Sequence, residues 1–531
     1  MGATVFPTRA AAAVRTAETR TATPLWPRLL RDVGLPLALT RLALVAITLT
    51  AAQWRVAVPD PGGSLSQTPH VANPVLTRWY QWDAGWYLRI AGDGPQMGYS
   101  RYTAEAHHHF SAFAFFPLYP LLVRAAAVLV PGALDSIPVS GGGGTPPASL
   151  VLAGLVVANL AFVLALIALY LLAESRAGPG AARRTVLLLC LFPTTIFFSA
   201  PYSESLFFLW LVLFFLCLDR RRWWLAGLCG LLASATRSNG VFLVIPYLVA
   251  AWQDPHPQGP HPRPLSRARE RGASAASTLY GNEKDRPGSA GVSPVPGAET
   301  DRPGSAGVSP VPAFDGDGRA AWRASRAPGN APPLPRTGRG ALDRRVPRLG
   351  IARGQSATGW GVRELLPVVL IPLGVVGYMA YQWLAWGDPL RWYEAEKAWS
   401  RSLALPWSGI VNGVTWSLRD WPHLKQPAWR GLTDALYALV FLALSAFAWR
   451  RVDWPGRAYM VVFWVYTLCE PATSEPTHPD TLISMARLLL VLLPLWLWLG
   501  QSRWRTLAVA LPSAFILLFY AARWVNAGWI G

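Results

Sequence analysis

The sequence predicts a polytopic, all-α membrane protein, and three observations lead there. Apolar residues make up 52% of the 531 and charged residues only 15%. The apolar residues gather into runs such as "LVLAGLVVANLAFVLALIALYLLA", from Leu150 to Ala173, and a bilayer crossing takes roughly 20 of them. The net charge of +19 is almost all arginine, with lysine only at Lys284, Lys397 and Lys425. These arginines sit in linkers beside apolar runs, the pattern of loops kept on the cytoplasmic side, which ranks above nucleic-acid recognition.

The chain opens with a basic tail, residues 1–34, holding Arg9, Arg15, Arg20, Arg28 and Arg31. It reads as a retained cytoplasmic tail followed by a signal anchor. A first span is expected at about 35–52, with Arg41 near its inner end, where it could snorkel. Further spans read at about 150–173, 185–199, 205–218, 223–236, 241–252, 365–386, 432–448, 458–468, 488–499 and 506–522, about 10–11 in all. The segment "AFFPLYPLLVRAAAVLVPG", with its prolines and central Arg124, suits a re-entrant or interfacial piece. Residues 35–253 and 361–531 thus form two membrane regions, with a first outer loop at 53–149. Between them, residues 254–360 are rich in Pro, Gly, Ser and Arg and repeat "DRPGSAGVSPVP". Such composition cannot bury a core and reads as a disordered cytoplasmic insertion.

Orientation follows from arginine. "ESRAGPGAARR", "DRRRWW", "AWRRVDWPGR" and "QSRWR" are placed inside. "SAPYSES", "ATRSNG", "WGDPLRWYEAEKAWSR", "PATSEPTHPDTLISMAR" and "RWYQWDAGWYLR" then fall on the other face. In the last of these, Trp79, Trp82, Trp86 and Ile90 would share one helical face, so the stretch reads as an interfacial helix. Its lone carboxylate, Asp83, would be partly desolvated and suited to act as a general base, against the plainer reading of a wet helix side. Tyr202, Ser203, Glu204 and Ser205 read as a polar hairpin, solvated on the plainer reading. Arg237 suits a phosphate on a lipid-borne substrate or, equally, a snorkelling helix end. Asp388, Arg391, Glu394, Glu396, Lys397 and Arg401 follow another span, and Arg391, Glu394 and Lys397 have the spacing of a salt-bridged surface helix. His478, Asp480 and Arg487 gather at the outer end of a later span.

No metal site is expected. His107, His108 and His109 are adjacent and cannot all reach one ion from a regular helix. Cys190, Cys217, Cys229 and Cys469 lie in or beside apolar runs, with no zinc or disulfide framework indicated.

Four ordered motifs resemble the PIG-V-type mannosyltransferases, integral membrane enzymes of the GT-C class. They are "WDAGWYLRIAGDGPQMGY" (82–99), "FAFFPLYPLL" (113–122), "FFSAPYSESLF" (197–207) and "ATRSNGV" (235–241). A looser match follows at "GDPL" (387–390) and "SMARLLLVLLPL" (484–495). The resemblance implies a GT-C-like helix bundle and transfer of mannose from a polyprenyl-phosphate carrier to a lipid or glycan hydroxyl, with inversion, on the non-cytoplasmic face. It implies Asp83 as the catalytic base and Arg237 on the donor phosphate. Tyr202 and Glu204 would line the pocket, with Trp82, Tyr87, Asn239, Asp388 and Arg487 as further substrate-binding positions. No cofactor is implied; the partners are the bilayer, the lipid-linked donor and a glycolipid or glycan acceptor, with no nucleic acid. The run "AGDGPQMGY" is longer than the family's compact form. High arginine and alanine with little lysine suggest a high-GC bacterium and its plasma membrane, so the acceptor of glycolipid-anchor assembly does not carry over. A transporter or lipid flippase is the alternative, though no repeat relates the two halves. A catalytically silent assembly subunit is the third reading, disfavoured by the presence of both Asp83 and Arg237.

Overall fold

The structure, a computed structural model, describes residues 24–51, 74–100, 102–105, 108–136, 146–253, 362–397, 401–420, 426–471, 481–482 and 484–525. The insertion expected at 254–360, His107, His478, Asp480 and the tail up to residue 23 lie outside them. The chain up to His256 and the chain from Ala357 onward form one compact unit.

A helix starts at Leu25 and passes through a π turn at Leu30–Gly34 into α1 (Leu35–Ala51). The continuous apolar piece is 26 residues, Leu25–Thr50, or about 39 Å at 1.5 Å per residue. Arg41 therefore lies near its middle rather than at its inner end. It does not snorkel: its guanidinium donates to Thr195 Oγ1 at 2.8 Å and lies 4.8 Å from the Phe162 ring.

The segment expected as the first outer loop comprises α2 (Pro74–Trp79), α3 (Ala84–Ser100), the antiparallel ladder β1 (Tyr102–Glu105) with β2 (His108–Ser111), and α4 (Leu118–Ala127). At ten residues α4 reaches about 15 Å, half a hydrocarbon core, as expected of a segment that does not span. The ladder is the one sheet among the described residues.

The bundle follows as α5 (Ala148–Ala177), α6 (Pro179–Leu191), α7 (Glu204–Asp219), α8 (Trp223–Thr236) and α9 (Val244–Gln253). The second arm adds α10 (Leu373–Trp386), α11 (Arg391–Glu396), α12 (Ser408–Asp420), α13 (Gln426–Ala448) and α14 (Trp454–Cys469). It ends with α15 (Met485–Leu488), α16 (Leu493–Gly500) and α17 (Arg503–Val525). Among the described residues, five pieces are long and apolar enough to cross a membrane: Leu25–Thr50, Ala148–Ala177, Leu366–Trp386, Arg430–Arg451 and Arg503–Val525.

Several other expected spans are shorter helices, for a local reason. The stretch expected at 185–199 leaves the helix at Leu191, before Pro193, and continues as a 3₁₀ turn at Thr195–Phe198. That at 488–499 is interrupted at Leu489–Val491, ahead of Pro494. Proline removes a donor and disfavours α geometry in the residue before it. Such breaks survive at membrane depth only where protein covers them, and Thr195, Phe197, Leu489, Leu490 and Leu492 are all buried.

Charge separates the two ends of the bundle. At one end Arg176, closing α5, grips Asp219 with two hydrogen bonds of 2.6 and 2.7 Å and reaches Asp453 before α14 at 3.2 Å. Arg184 holds the Gly500 carbonyl at 2.7 Å, and Arg28 pairs with Glu174. The arginine-rich linkers expected to share a face therefore do. Glu204 and Asp219 terminate α7, an element of 16 residues, so Glu204 sits about 22 Å away at the opposite end.

The candidate site: a chain of carboxylates and arginines

Asp83 lies in a break between helices, which corrects the continuous interfacial helix expected here. Residues 80–83 form the turn from α2 to α3, with Trp82 in the left-handed region at φ 56°. The Asp83 carbonyl accepts from Trp86 N at 3.1 Å and Tyr87 N at 3.3 Å, starting α3. Because the helix breaks there, Trp79, Trp82, Trp86 and Ile90 do not line one helical face. Trp79, Trp86, Tyr87 and Ile90 are buried in protein instead. Trp86 stacks on Phe115 with ring centroids 5.8 Å apart, and Tyr87 packs edge-on to Phe115 and Tyr119. At the far end of this segment Gly94 has φ 82°, ahead of Pro95. Arg124 fills the space beside it, donating to the Ala91 carbonyl at 2.8 Å and the Gly92 carbonyl at 3.1 Å.

The segment "SAPYSES" is not a solvated hairpin. Tyr202, Ser203, Glu204 and Ser205 are all buried, Glu204 at 3% exposure. Its place at the first turn of α7 favours a negative charge there. Tyr202 donates from its hydroxyl to the Gln81 carbonyl at 2.9 Å, tying this segment to the Asp83 turn. Tyr87 and Ser203 hydroxyls meet at 2.7 Å.

Two arginines from distant parts of the chain meet the carboxylates. Arg237 caps the C-terminal end of α8 and, in extended conformation, sends Nη1 to Glu204 Oε1 at 2.6 Å. Arg487, in α15, pairs with the same Glu204 oxygen and reaches Asp83 Oδ2 at 2.7 Å. The Arg487 guanidinium is held between the rings of Phe197, 4.9 Å away, and Tyr202, 4.8 Å away, a desolvated cation–π setting. The Thr194 hydroxyl donates to the Ala486 carbonyl at 2.8 Å, fixing the turn that carries Arg487.

The result is a linear array, Asp83–Arg487–Glu204–Arg237. Glu204 and Arg487 form its buried middle, while Asp83 and Arg237 keep side-chain exposures of 24% and 26% at its two open ends. Chemically, a fixed carboxylate at one end can accept a proton, and a fixed guanidinium at the other can meet an anion. The Glu204 Oε2 atom and the Asn239 Oδ1 atom are buried without a hydrogen-bond partner among the described residues.

Other sequence candidates fall elsewhere. Asp388 accepts from Leu390 N at 2.9 Å, building the turn after α10, and no contact joins it to the array among the described residues. Glu394 and Lys397 pair at 2.7 Å on the exposed side of α11, as their spacing foretells, while Arg391 lies over Phe113. The four cysteines are free thiols. Sequence reasoning named Glu396 but gave it no role. Ser238 and Arg237 both act electrostatically on its carboxyl. Its position on the side of the helix opposite the Glu394–Lys397 pair was the available signal.

Residues 37–251 match the family pattern described as Mannosyltransferase (PIG-V). The rat protein named GPI alpha-1,6-mannosyltransferase 2 is 34% identical over 189 residues, covering 35% of this chain and 33% of its own. The mouse protein of that name is 33% identical over 186 residues, covering 34% of this chain and 32% of its own. These alignments span about a third of the length of those relatives. A crystal structure of the Archaeoglobus fulgidus oligosaccharyltransferase aligns at a TM-score of 0.33 and 13% identity, over 92% of this chain and 54% of that one. Asp83, Glu204 and Arg237 all lie inside the matched stretch, and Arg487 beyond it. With its apolar helices and that match, the protein is an integral membrane protein in which residues 37–251 are similar to the PIG-V mannosyltransferase family.

Proposed function

We propose that the protein is a membrane mannosyltransferase of the GT-C kind, using a polyprenyl-phosphate-linked mannose. The observation that carries this reading is the Asp83–Arg487–Glu204–Arg237 array, reachable at its two ends and closed in its middle. Asp83 removes the proton from an acceptor hydroxyl as that oxygen attacks the anomeric carbon. The new carbon–oxygen bond forms while the carbon–phosphate-oxygen bond breaks, and the lipid phosphate leaves with its electron pair. Attack opposite the leaving group inverts the configuration.

The array divides this labour. Arg487 accepts no proton; it orients Asp83 through Oδ2, and the partly exposed carboxylate stays open to the acceptor. Arg237, fixed through Glu204, presents its remaining donors to the departing phosphate, where a pre-placed guanidinium stabilises developing charge. Tyr202 and Tyr87 act from behind, holding the Asp83 turn and the Ser203 hydroxyl in register. The positive-inside pattern sets the arginine-rich end in the cytoplasm and the array on the opposite face of a bacterial plasma membrane.

The test is transfer of labelled mannose from polyprenyl-phosphate mannose into endogenous lipid and glycan acceptors by membranes containing the protein. Asp83→Asn should lower the rate by about 10²- to 10⁴-fold, the span of general-base contributions, with insertion and yield unchanged. Labelling by the wild type at the level of protein-free membranes would overturn the proposal.

A further inference from the structure

The turn that carries Asp83 is held on one side by Tyr202. On another it meets α17, far along the chain. Trp524, in the final turn of α17, is buried, and its indole N–H donates to the Arg78 carbonyl at 2.9 Å. The same carbonyl accepts from the Gln81 side-chain amide, also at 2.9 Å. In the opposite direction the Arg78 guanidinium donates to the Val525 carbonyl, one of the acceptors that a helix leaves open at its C-terminal end. Two hydrogen bonds of opposite sense thus fasten Arg78 to the end of α17, just ahead of the base.

The indole ring makes a second connection. Its centroid lies 5.3 Å from that of Phe197, edge to face, and 6.0 Å from that of Tyr202. These are the two rings that hold the Arg487 guanidinium between them. One side chain therefore reaches both halves of the Asp83–Arg487 pair at one remove. It meets the carboxylate's turn through Arg78, and the guanidinium's cage through Phe197 and Tyr202. That turn contains Trp82 at φ 56°, a conformation that a residue with a Cβ keeps only where its surroundings over-determine it. A buried tryptophan in an apolar helix is ordinarily filling, and its ring contacts alone would say no more. The N–H decides otherwise, because it is donated to a carbonyl 446 positions earlier in the chain, at the foot of the strained turn.

We infer that Trp524 is a positioning residue for the transfer reaction, setting the Asp83 carboxylate and the Arg487 guanidinium in register for the acceptor hydroxyl. It acts through Arg78, Phe197 and Tyr202 and from outside the stretch, residues 37–251, that matches the family pattern. The inference rests on the transferase reading above. Its leverage is geometric: a displacement of about 1 Å in a reacting group can cost about 10²-fold in rate.

Two substitutions separate the ring from its N–H. Trp524→Phe keeps a ring against Phe197 and Tyr202 and removes the donor. Trp524→His keeps an N–H at the same place on a five-membered ring and gives up packing. Trp464→Phe is the structural control: Trp464 is buried in α14, donates to the Ser445 hydroxyl at 3.1 Å and joins no member of the array among the described residues. Membranes of matched protein content are assayed for mannose transfer over a range of polyprenyl-phosphate mannose, and thermal unfolding is followed in detergent. Trp524→Phe should lower the maximal rate at least tenfold and leave the donor concentration for half-maximal rate within twofold, since Arg237 keeps its place. Trp524→His should keep at least a third of the wild-type rate although it unfolds at lower temperature than Trp524→Phe. Trp464→Phe should stay within twofold of wild type in rate. A maximal rate for Trp524→Phe within twofold of wild type, or for Trp524→His below that of Trp524→Phe, reduces Trp524 to packing. It overturns the inference and leaves the transferase intact. If one variant does not insert, the other decides by the same limits, a rate under a third for Trp524→His counting against the inference. Absence of labelled product from the wild type overturns the transferase reading itself.

Discussion

Arg487 is the residue on which the array turns, since it serves Glu204 and Asp83 at once. Replacing it by Met leaves Glu204 in the protein interior with Arg237 alone. Breaking a buried pair from one side costs about 3–5 kcal/mol, so the detergent-solubilised Arg487→Met protein should unfold at clearly lower temperature and transfer no mannose. Arg487→Lys keeps the charge but cannot span both carboxylates with a planar fork, and should recover stability better than rate. Glu396 gives a pH signature. Burial pushes its carboxyl above the ordinary value, opposed by Arg401, Arg237 and the Ser238 hydrogen bond and reinforced by Glu470. The folded protein thus holds this proton more tightly than the unfolded chain. The contribution to stability is present at low pH and is lost as pH rises through the raised value. Thermal unfolding across that range should show this loss in the wild type and lack it in Glu396→Gln. Much of the residue-level site was legible: Asp83, Glu204, Arg237 and Arg487 each stand at the end of an apolar run. Their pairings were not, because the partners lie 283 and 404 positions apart in the chain. Glu396 was hidden by neighbours whose spacing has a sufficient explanation in a surface ion pair.

At the scale of elements, the site depends on turns more than on helices. The 3₁₀ turn Ser238–Leu243 follows Arg237 and folds back on α8. A methyl group at Gly240 would lie 2.4 Å from the Ala233 carbonyl carbon and from Ser234 N, both backbone atoms that cannot swing aside. Gly240→Ala should therefore destabilise by about 1–3 kcal/mol or more, as overpacking does, and displace Arg237. Gly377→Ala, within α10, meets nothing within 4 Å. It should be neutral or gain up to about 1 kcal/mol from helix propensity, which thermal unfolding of the two variants side by side will show. The break at Trp82 was the element-level feature the sequence concealed. Turns advertise themselves through Gly, Pro, Asn or Asp at the position that needs a positive φ, and a tryptophan there gives no such notice. The helical period running through Trp79, Trp86 and Ile90 then pointed to one continuous helix. The prolines at 193 and 494 did announce their breaks, yet hydropathy alone ran straight across them.

For the whole molecule, the shared end of the basic linkers was legible from arginine, as contacts such as Arg176–Asp219 and Arg184–Gly500 show. What hydropathy could not give is how the second arm reaches the first. Part of the answer is a stitch beside the insertion: Tyr247, in α9, donates to the Glu364 carbonyl at 2.7 Å. The described ends on either side of residues 254–361 thus lie near one another. Replacing residues 257–356 by a short Gly–Ser linker should leave thermal unfolding and mannose transfer within about twofold of the full chain, because loop-closure entropy changes only slowly with length. A larger loss, measured in membranes of matched protein content, would assign the insertion a part in the reaction.

The reach of Arg487 also sets an order in time. A ribosome has made Asp83, Glu204 and Arg237 long before it makes the residue that joins them. Until the last two membrane helices are threaded in, the nascent chain holds a carboxylate meant for the interior with half of its counter-charge missing. Such a chain is catalytically mute and exposes a polar flaw at membrane depth, a mark by which proteolytic surveillance can tell an unfinished copy from a finished one.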